Sequence, residues 1–392
     1  MSIYSFKFLI INIFYLLKFS YTFELDQTLY HGSDIYHMSL VKVLFPTYSI
    51  HYLASGSNDG TIKIWNLDTK ELKFTFNRSN SGHTGSIQSL ATYENGFLAS
   101  GSGDKTIKIW NMINGELKFT FNQSNGGHNG SLSSLASFDF DLLASGSIDS
   151  TIKIWDLTNG LLKFTFDKTN GGHSDTVSSL VFLENGNLVS GSYDSSIKIW
   201  DLRIQKLLFT FDKTNGGHSS YLYKLALLEN GLLASGSADN SIKIWDTRNG
   251  NLKFTFDKSN DGHSHWVRSL VLLENGYLAS GSWDWTVKIW DVTVGKLKYT
   301  FDQSKGGHSK EVWTLGSLDN GYLASGSDDK TIKIWDTING KLIYTFDQSN
   351  GCHTQTIKFL SLFKNEYLIS GSSDKTIKIW SLFNENHNST IN

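Results

Sequence analysis

Histidine, serine and aspartate recur together in this chain at spacings that first suggest acyl-transfer chemistry. In each set, His is followed by Ser after 17 residues, by Asp after 21 and by Trp after 27. The seven sets are His83, Ser100, Asp104 and Trp110; His128, Ser145, Asp149 and Trp155; His173, Ser190, Asp194 and Trp200; His218, Ser235, Asp239 and Trp245; His263, Ser280, Asp284 and Trp290; His308, Ser325, Asp329 and Trp335; His353, Ser370, Asp374 and Trp380. A catalytic triad needs one nucleophile beside one oxyanion hole. Seven equivalent copies therefore predict a structural tie repeated through a scaffold, and we expect no catalytic residue.

The elements that must position these residues repeat as a single unit. Eight tryptophans, from Trp65 to Trp380, are spaced 45 residues apart without slippage, which indicates a repeat architecture. Segments such as "TIKIW" (106–110) and "LKFTF" (117–121) alternate as strands do. Asn-Gly pairs between the segments favour tight hairpins in which both residues have positive φ. Each unit is therefore predicted to form four short antiparallel strands, which is one blade of a propeller.

The units resemble the WD repeat. The best-matched copies contain a Gly-His pair, a turn Asp and a Trp with its following residue: Gly82-His83, Asp104 and Trp110-Asn111, then Gly172-His173, Asp194 and Trp200-Asp201. The resemblance covers roughly residues 31 to 381. It implies an all-β fold, a single eight-bladed propeller of four-stranded antiparallel blades, with seven blades as the alternative. It also implies that the repeated side chains form a hydrogen-bonded chain from Trp through Ser and His to Asp.

The two ends of the chain are predicted to meet in one blade. Only "LFNENHNSTIN" follows Ser381, and it cannot supply another "LKFTF" strand. The segment "LLKFSYTFELDQT" (16–28) echoes "LLKFTFDKTN" (161–170), so we expect it to complete the last blade and remove its open edge. The expected organisation is an apolar lead-in at 1–15, a propeller over 16–381 and a polar tail at 382–392.

The first repeat departs from the pattern. Ser55, Asp59 and Trp65 are present, but no Gly-His pair stands at the expected spacing before them. His37 is the nearest histidine, one residue out of register, and we expect it to substitute in the tie.

Several kinds of chemistry have no support in the sequence. The net charge of −2 gives no field that would attract nucleic acid. The histidines lie one per unit and there is one cysteine, Cys352, so we expect no metal site and no cofactor. A column of lysines, one per unit, is interpreted as packing its aliphatic stems on the strands.

The N-terminal segment "FKFLIINIFYLLKFS" (6–20) has the charged start and apolar core of a signal peptide. It is too short to span a membrane and lacks the small residues of a cleavage site. We therefore expect a cytoplasmic protein, with secretion as the alternative if residues 1–20 act as a signal peptide.

Large aromatic residues gather where the units differ from one another. Two columns, three residues after the His and one before the Asp, hold mostly small or polar residues in the other units. The predicted partner-binding residues on this end of the blades are Tyr193, Tyr221, Trp266, Trp283, Trp285, Arg268 and Trp313. Exposed Trp and Tyr beside Arg have the composition of a binding hot spot. We therefore expect a non-catalytic, monomeric scaffold within a larger complex that binds a protein or peptide; the alternative is an enzyme or small-ligand propeller that uses the central channel.

Overall fold

A computed structural model describes residues 21–44, 49–93, 96–138, 141–364 and 366–384. Its 32 strands form eight sheets of four antiparallel strands each. Seven sheets consist of four consecutive strands, and the eighth combines the first strand of the chain with the last three. The prediction of an all-β, eight-bladed propeller is confirmed, and the seven-bladed alternative is wrong.

The blades are numbered 1 to 8 along the chain, and their strands fall into four positions. The inner strands are β2 (Ile35–Leu44), β6 (Ile87–Tyr93), β10 (Leu132–Phe138), β14 (Val177–Phe182), β18 (Leu222–Leu227), β22 (Val267–Leu272), β26 (Val312–Ser317) and β30 (Ile357–Phe363). The second strands are β3 (Ser49–Ser57), β7 (Phe97–Ser102), β11 (Leu142–Ser147), β15 (Leu188–Ser192), β19 (Leu232–Ser237), β23 (Leu278–Ser282), β27 (Tyr322–Ser327) and β31 (Tyr367–Ser372). The third strands are β4 (Ile62–Asn66), β8 (Ile107–Asn111), β12 (Ile152–Asp156), β16 (Ile197–Asp201), β20 (Ile242–Asp246), β24 (Val287–Asp291), β28 (Ile332–Asp336) and β32 (Thr376–Asn384). The outer strands are β5 (Glu71–Phe76), β9 (Leu117–Phe121), β13 (Leu161–Phe166), β17 (Lys206–Phe211), β21 (Asn251–Phe256), β25 (Lys296–Phe301), β29 (Lys341–Phe346) and, in blade 8, β1 (Tyr21–Tyr30).

Each blade is apolar on both faces because it packs between two neighbours. In β8, Ile107, Ile109 and Trp110 are buried, and the Trp110 ring stacks on Phe76 of blade 1 at 4.2 Å between centroids. The same contact, between a third-strand Trp and an outer-strand Phe of the preceding blade, recurs up to Phe346 and Trp380. The excess of aromatic residues in the sequence is therefore largely a between-blade core.

The inner strands contact one another around the ring, and the contact between β30 and β2 closes it. These strands therefore surround the central axis. The turn that contains the Asp of each tie and the loop that contains its His lie at the same end of every blade. We call this end the top of the propeller and the opposite end the bottom.

The ring is closed by the N-terminal strand, as predicted, but by different residues. β1 pairs with β32, and Leu25 lies opposite Trp380 where Leu162 lies opposite Trp155 in blade 3. The residues equivalent to "LLKFTF" are thus 24–29, not 16–21, and the predicted echo is wrong in register. Lys378 and Trp65 set the true register, because Thr28 bonds Lys378 and Leu29 joins the core around Trp65. Residues 16–20, the start of the echo, lie outside the described residues, and β32 continues to Asn384 into the predicted tail.

The Asn-Gly hairpins follow the prediction only in part. Both residues have positive φ at Asn230-Gly231 and at Asn320-Gly321. At Asn159-Gly160 and similar turns between the third and outer strands, only the glycine has positive φ. There the loop is longer, since Gly160 N–H bonds the Asp156 carbonyl and the Asp156 carboxylate receives the Thr158 N–H. Short 3₁₀ turns precede the His loops at Arg78–Asn80, Gln123–Asn125, Lys168–Asn170, Lys213–Asn215, Lys258–Asn260, Gln303–Lys305 and Gln348–Asn350, and one lies at Asp319–Gly321.

Candidate functional site

The repeated His, Ser, Asp and Trp side chains form one hydrogen-bonded chain in each of blades 2 to 8. In blade 4, Trp200 Nε1–H donates to Ser190 Oγ at 2.9 Å, and Ser190 Oγ–H donates to His173 Nε2 at 2.8 Å. His173 Nδ1–H then donates to Asp194 at 2.9 Å. The order of donors follows from the two ends of the chain: the indole can only donate and the ionised carboxylate can only accept, so a neutral His173 has its proton on Nδ1 and accepts at Nε2. In the other six blades the His-to-Asp distances lie between 2.8 and 3.1 Å.

The electrostatics of the tie favour a neutral histidine and a charged aspartate. Burial lowers the pKa of His173 below its ordinary value, although Asp194 opposes this shift. Burial alone would raise the pKa of Asp194, but hydrogen bonds from His173, Ser196 and the Ser174 N–H outweigh it and hold the pKa below the usual range. The Asp194 carboxylate therefore joins the His loop to the turn between the second and third strands.

Blade 1 lacks this tie, and the predicted substitute is wrong. His37 lies on β2, where its Nδ1 accepts the Leu90 N–H of blade 2 at 3.3 Å. His31 occupies the region of the missing histidine instead, and its Nε2 bonds the backbone carbonyl of Ser55 at 3.0 Å. The bond from Trp65 to Ser55 Oγ is kept at 2.9 Å. The reason is β1, because the strand that closes the ring leads directly into His31.

The lysine column has a structural role, as interpreted from the sequence. In seven of the eight lysines, Nζ lies within 3.1–3.4 Å of a threonine hydroxyl on the outer strand of the same blade. The eighth, Lys63, bonds the Tyr30 carbonyl. These ammonium groups therefore lie between the third and outer strands, away from the axis.

Six aromatic rings form a continuous series over the top of blades 4 to 7. Tyr221 stacks on Tyr193 at 4.8 Å, and Tyr193 contacts Tyr223 edge to face at 6.0 Å. The series continues through Trp266, which lies 5.6 Å from Tyr223 and stacks on Trp283 at 4.6 Å. Trp313 follows, 5.3 Å from Trp283. We call these six residues with Arg268 the aromatic sector.

Arg268 lies inside the aromatic sector. Its guanidinium carbon is 4.1 Å from the centre of the Tyr223 ring, 5.2 Å from that of Trp313 and 5.6 Å from that of Trp283. Tyr223, Arg268 and Trp313 share one position, the extra residue near the start of each inner strand, where the pairing register shifts. A cation held against several rings is favourable by roughly 0.5–2 kcal/mol.

Trp285 lies beside the aromatic sector in a conformation that costs energy. It occupies the turn position after the Asp, and that position has positive φ in all eight blades. Trp285 has φ of 72° and is 44% exposed, and the other blades have smaller or flexible residues there: Gly60, Lys105, Ser150, Ser195, Asn240, Lys330 and Lys375. A left-handed backbone costs a residue with a large side chain about 1–2 kcal/mol.

The predicted partner-binding residues are brought together, but not all are fully exposed. Tyr221 is 48% exposed, while Tyr193, Trp266, Trp283 and Trp313 are half-buried against one another. Nε1 of Trp283 and of Trp313 is buried and has no hydrogen-bond partner among the described residues. Trp283 contacts Trp266 and Trp313, so it packs within the sector as well as facing outwards.

Sequence reasoning missed a second group, in the channel. On the inner strands, His37 and Lys224 are opposite Gly56 and Gly236, where Ser89 is opposite Gly101 in blade 2. His37 belongs to blade 1 and Lys224 to blade 5, and these two blades lie opposite each other in a ring of eight. Even so, the charge of Lys224 acts on His37 across the channel. Burial and this charge lower the pKa of His37 to about 4. The signal was present in the sequence, because this position holds Ser89, Ser134, Ser179 and Ser269 in four blades and Thr314 and Phe359 in two others, so His37 and Lys224 are its two ionisable residues.

A cleft of about 480 Å³ opens at the top beside the aromatic sector. It is lined by Gln88, Ser131, Leu132, Ser133, Ile148, Thr176, Ser178, Tyr193, Tyr223 and Arg268. These residues belong to blades 2 to 6, so the cleft lies at the mouth of the channel. Arg268 is the only charged residue among them.

Among the residues that the structure describes, no three His, Cys, Asp or Glu side chains lie together as a metal site would require. Within the same ranges, no helix is long and apolar enough to cross a membrane.

The fold and the ties define a WD-repeat propeller. The sequence profile of the family described as "WD domain, G-beta repeat" matches residues 25–66, 73–111, 115–156, 164–201, 205–246, 251–291, 295–336 and 340–381. The chain therefore belongs to this family, whose propellers are generally non-catalytic and typically serve as protein-interaction scaffolds.

Among solved structures, the chain is similar to a computationally designed protein, Ika8, in its crystal packing No. 1 in P63. The two share 29% sequence identity with a TM-score of 0.72, over 91% of this chain and 98% of the designed one. No curated protein matches the chain. Because a common fold hosts many functions, the function must be argued from the site itself.

Proposed function

We propose that the protein is a non-catalytic scaffold that binds a protein or peptide partner through the aromatic sector on its top face. Trp283, Trp266 and Tyr221 are the proposed anchors, with Arg268 and Trp285 beside them. Interface hot spots are enriched in Trp, Tyr and Arg at the centre of a contact. The sector combines all three residue types on adjacent blades.

The observation that carries the proposal is that the sector and the adjacent Trp285 include features that cost folding energy. Trp285 has the left-handed backbone conformation that this turn position has in every blade, but there it carries a large ring that is 44% exposed, so the side chain adds cost without filling a core. The indole N–H groups of Trp283 and Trp313 are buried without a described acceptor, and a buried unpaired donor costs about 1–3 kcal/mol. Several other blades have small residues at the equivalent positions, such as Gly103, Ser150 and Ser133, and form the same four-stranded sheet. Selection for binding accounts for these costs.

A paired measurement on Trp266→Ala/Trp283→Ser tests the proposal. Partner capture by the intact chain should fall about thirtyfold or more, since truncating an anchor typically costs at least about 2 kcal/mol of binding. The thermal midpoint of the same variant should fall only modestly, because Ser373 already occupies the Trp283 position in blade 8. Quantitative affinity capture and differential scanning calorimetry give the two readouts.

Asn58→Ser is the matched control, because Asn58 is the exposed residue at the Trp283 position in blade 1. It should leave capture unchanged. If the Trp266→Ala/Trp283→Ser variant unfolds, the single substitution Trp285→Asn gives the same test on an exposed ring. Undiminished capture by folded variants of both kinds would refute the proposal.

We also propose that the propeller is a cytoplasmic monomer within a larger complex. The single cysteine, Cys352, is buried and free, so the chain forms no internal disulfide. Burial raises the pKa of its thiol to about 12, which keeps it unreactive. A glycosidase-sensitive mass shift at Asn77 or Asn122, measured on protein from its native cells, would instead establish secretion.

A further inference from the structure

The strands that surround the axis contain no acidic residue. None of β2, β6, β10, β14, β18, β22, β26 and β30 includes Asp or Glu, whereas four positions are Lys or Arg: Lys42, Lys224, Arg268 and Lys358. The whole chain carries slightly more acidic than basic residues, 37 against 35. The positive charge of the inner strands is therefore local and not a consequence of composition.

Two of these cations, Lys224 and Arg268, lie on adjacent inner strands near the channel mouth, and neither forms an ion pair among the described residues. Lys224 follows Tyr223 directly on β18 and is thus the next residue along the strand from one that lines the cleft with Arg268. Among the described residues, no carboxylate forms an ion pair with either Lys224 or Arg268. By contrast, Arg203 and Arg248 on the bottom hairpins each pair with an Asp two residues away. The mouth thus presents two unpaired positive charges.

The positive charge of Lys224 affects the pKa of another group in the channel. The charge of Lys224 reaches His37 on the opposite side of the axis and contributes to the low pKa of that histidine. Desolvation by the surrounding inner strands also lowers the pKa of Lys224, although its side chain stays exposed to the solvent of the channel. An anion bound at the mouth would reduce both unfavourable effects.

The geometry around Arg268 selects the shape of the anion. Its guanidinium carbon lies 4.1 Å from the Tyr223 ring centre and 5.2 Å from that of Trp313, and it forms no ion pair with a described residue, so N–H groups of the guanidinium can serve an anion in the cleft that Arg268 lines. A guanidinium edge matches the two oxygens of a carboxylate. The same rings without a cation would form a cage for a methylated lysine, but Arg268 already occupies that place and repels a second cation.

We propose that the cleft beside the aromatic sector binds an Asp or Glu side chain of a peptide segment in the partner, with Arg268 as the hydrogen-bonding anchor and Lys224 as the second charge. The inference rests on the proposed scaffold function and names the chemistry of its partner. Flanking apolar residues of the segment would contact Tyr193 and Tyr223, which line the same cleft.

An array of immobilised nonapeptides tests this with the full chain, labelled with a fluorophore. The flanking positions are randomised and the central residue is fixed as Glu, Gln, phosphoserine or trimethyl-lysine. Bound protein on Glu peptides should exceed that on the matched Gln peptides about tenfold, and the excess should disappear in Arg268→Gln and shrink in Lys224→Ser. Gln88 and Ser179 stand at these positions in blades 2 and 4, so both variants should fold.

Lys358→Gln is the matched control, since Lys358 holds the Arg268 position in blade 8 and lies 4.4 Å from the Tyr36 ring, outside the cleft. It should keep the preference for Glu. Equal binding of Glu and Gln peptides, with both weakened by Trp266→Ala/Trp283→Ser, overturns the anion site while the scaffold function stands. Binding of no peptide class, or preference for trimethyl-lysine, also overturns it. Stronger, Arg268-dependent binding of phosphoserine overturns the carboxylate assignment and identifies a phosphate.

Discussion

Removing the carboxylate of one tie should destabilise the propeller far more than removing the equivalent carboxylate where the tie is missing. Asp194 accepts four hydrogen bonds, from His173 Nδ1, the Ser174 N–H, the Ser196 N–H and the Ser196 hydroxyl. Asp59 of blade 1 is exposed and accepts two, from the Ser57 hydroxyl and the Thr61 N–H. Asp194→Ala and Asp59→Ala therefore form a matched pair of substitutions.

The expected difference follows from the buried partner. A hydrogen bond to a charged group contributes about 1.5–3 kcal/mol. Asp194→Ala loses two more of these bonds than Asp59→Ala and leaves the Nδ1–H of His173, which is fully buried, with only the neutral Ser196 hydroxyl at 3.1 Å in place of a carboxylate. We expect Asp194→Ala to lower the free energy of unfolding by about 3 kcal/mol more than Asp59→Ala. With an unfolding entropy of about 2.1 cal/mol/K per residue, a cooperative unit of 392 residues would melt roughly 4 °C lower.

Thermal and urea denaturation followed by far-UV circular dichroism give the comparison. Asp239→Ala in blade 5, whose tie has the same geometry, should reproduce the Asp194→Ala result. If Asp194→Ala and Asp59→Ala melt within one degree of each other, the His-to-Asp bond contributes nothing beyond an ordinary turn, and the reasoning about the tie fails.

Two further predictions concern closure and pH. Deleting residues 1–30 removes β1 and exposes the edge of β32, so the melting temperature should fall sharply. Deleting residues 1–20 should leave the melting temperature almost unchanged, because β1 is intact. Equal melting temperatures of the two deletion variants would contradict closure by β1. The free energy of unfolding should fall as the pH drops below about 6.5, because the unfolded chain then takes up more protons than the folded one. The cause is burial, which lowers the folded-state pKa of six tie histidines: His128, His173, His218, His263, His308 and His353. The tie aspartates, whose pKa values are also lowered, should add to the loss below about pH 3.8, and urea midpoints that stay constant from pH 7.5 to 5 would contradict this.

Features built within one blade could be predicted from the sequence. The 45-residue period of Trp65 to Trp380 determined the number of blades, because each Trp occupies the same position between two sheets. The ties could be predicted as well, since His173, Ser190, Asp194 and Trp200 lie within 27 residues and two adjacent turns bring them together. Short loops leave such a unit few alternative arrangements.

Features that depend on distant residues needed the tertiary structure. The "LLKFS" segment matches an outer strand as a pattern, but the register of β1 is set by Lys378 and Trp65, which the pattern does not contain. His37 was assigned to a tie from its spacing, although β1 delivers His31 to that place instead. In both cases a one-dimensional pattern fitted more than one register, and packing against another blade decided between them.

Part of the candidate site could be predicted from the sequence, and part depended on the tertiary structure. The columns of variable residues identified Trp266 and Trp283 as neighbours, because both flank the tie of one blade. Arg268 lies between Tyr223 and Trp313, which are 45 residues before and after it, and His37 faces Lys224 across the axis although 187 residues separate them. The sequence determined which residues each blade presents, whereas only closure of the ring decided which blades face one another and where their charges meet.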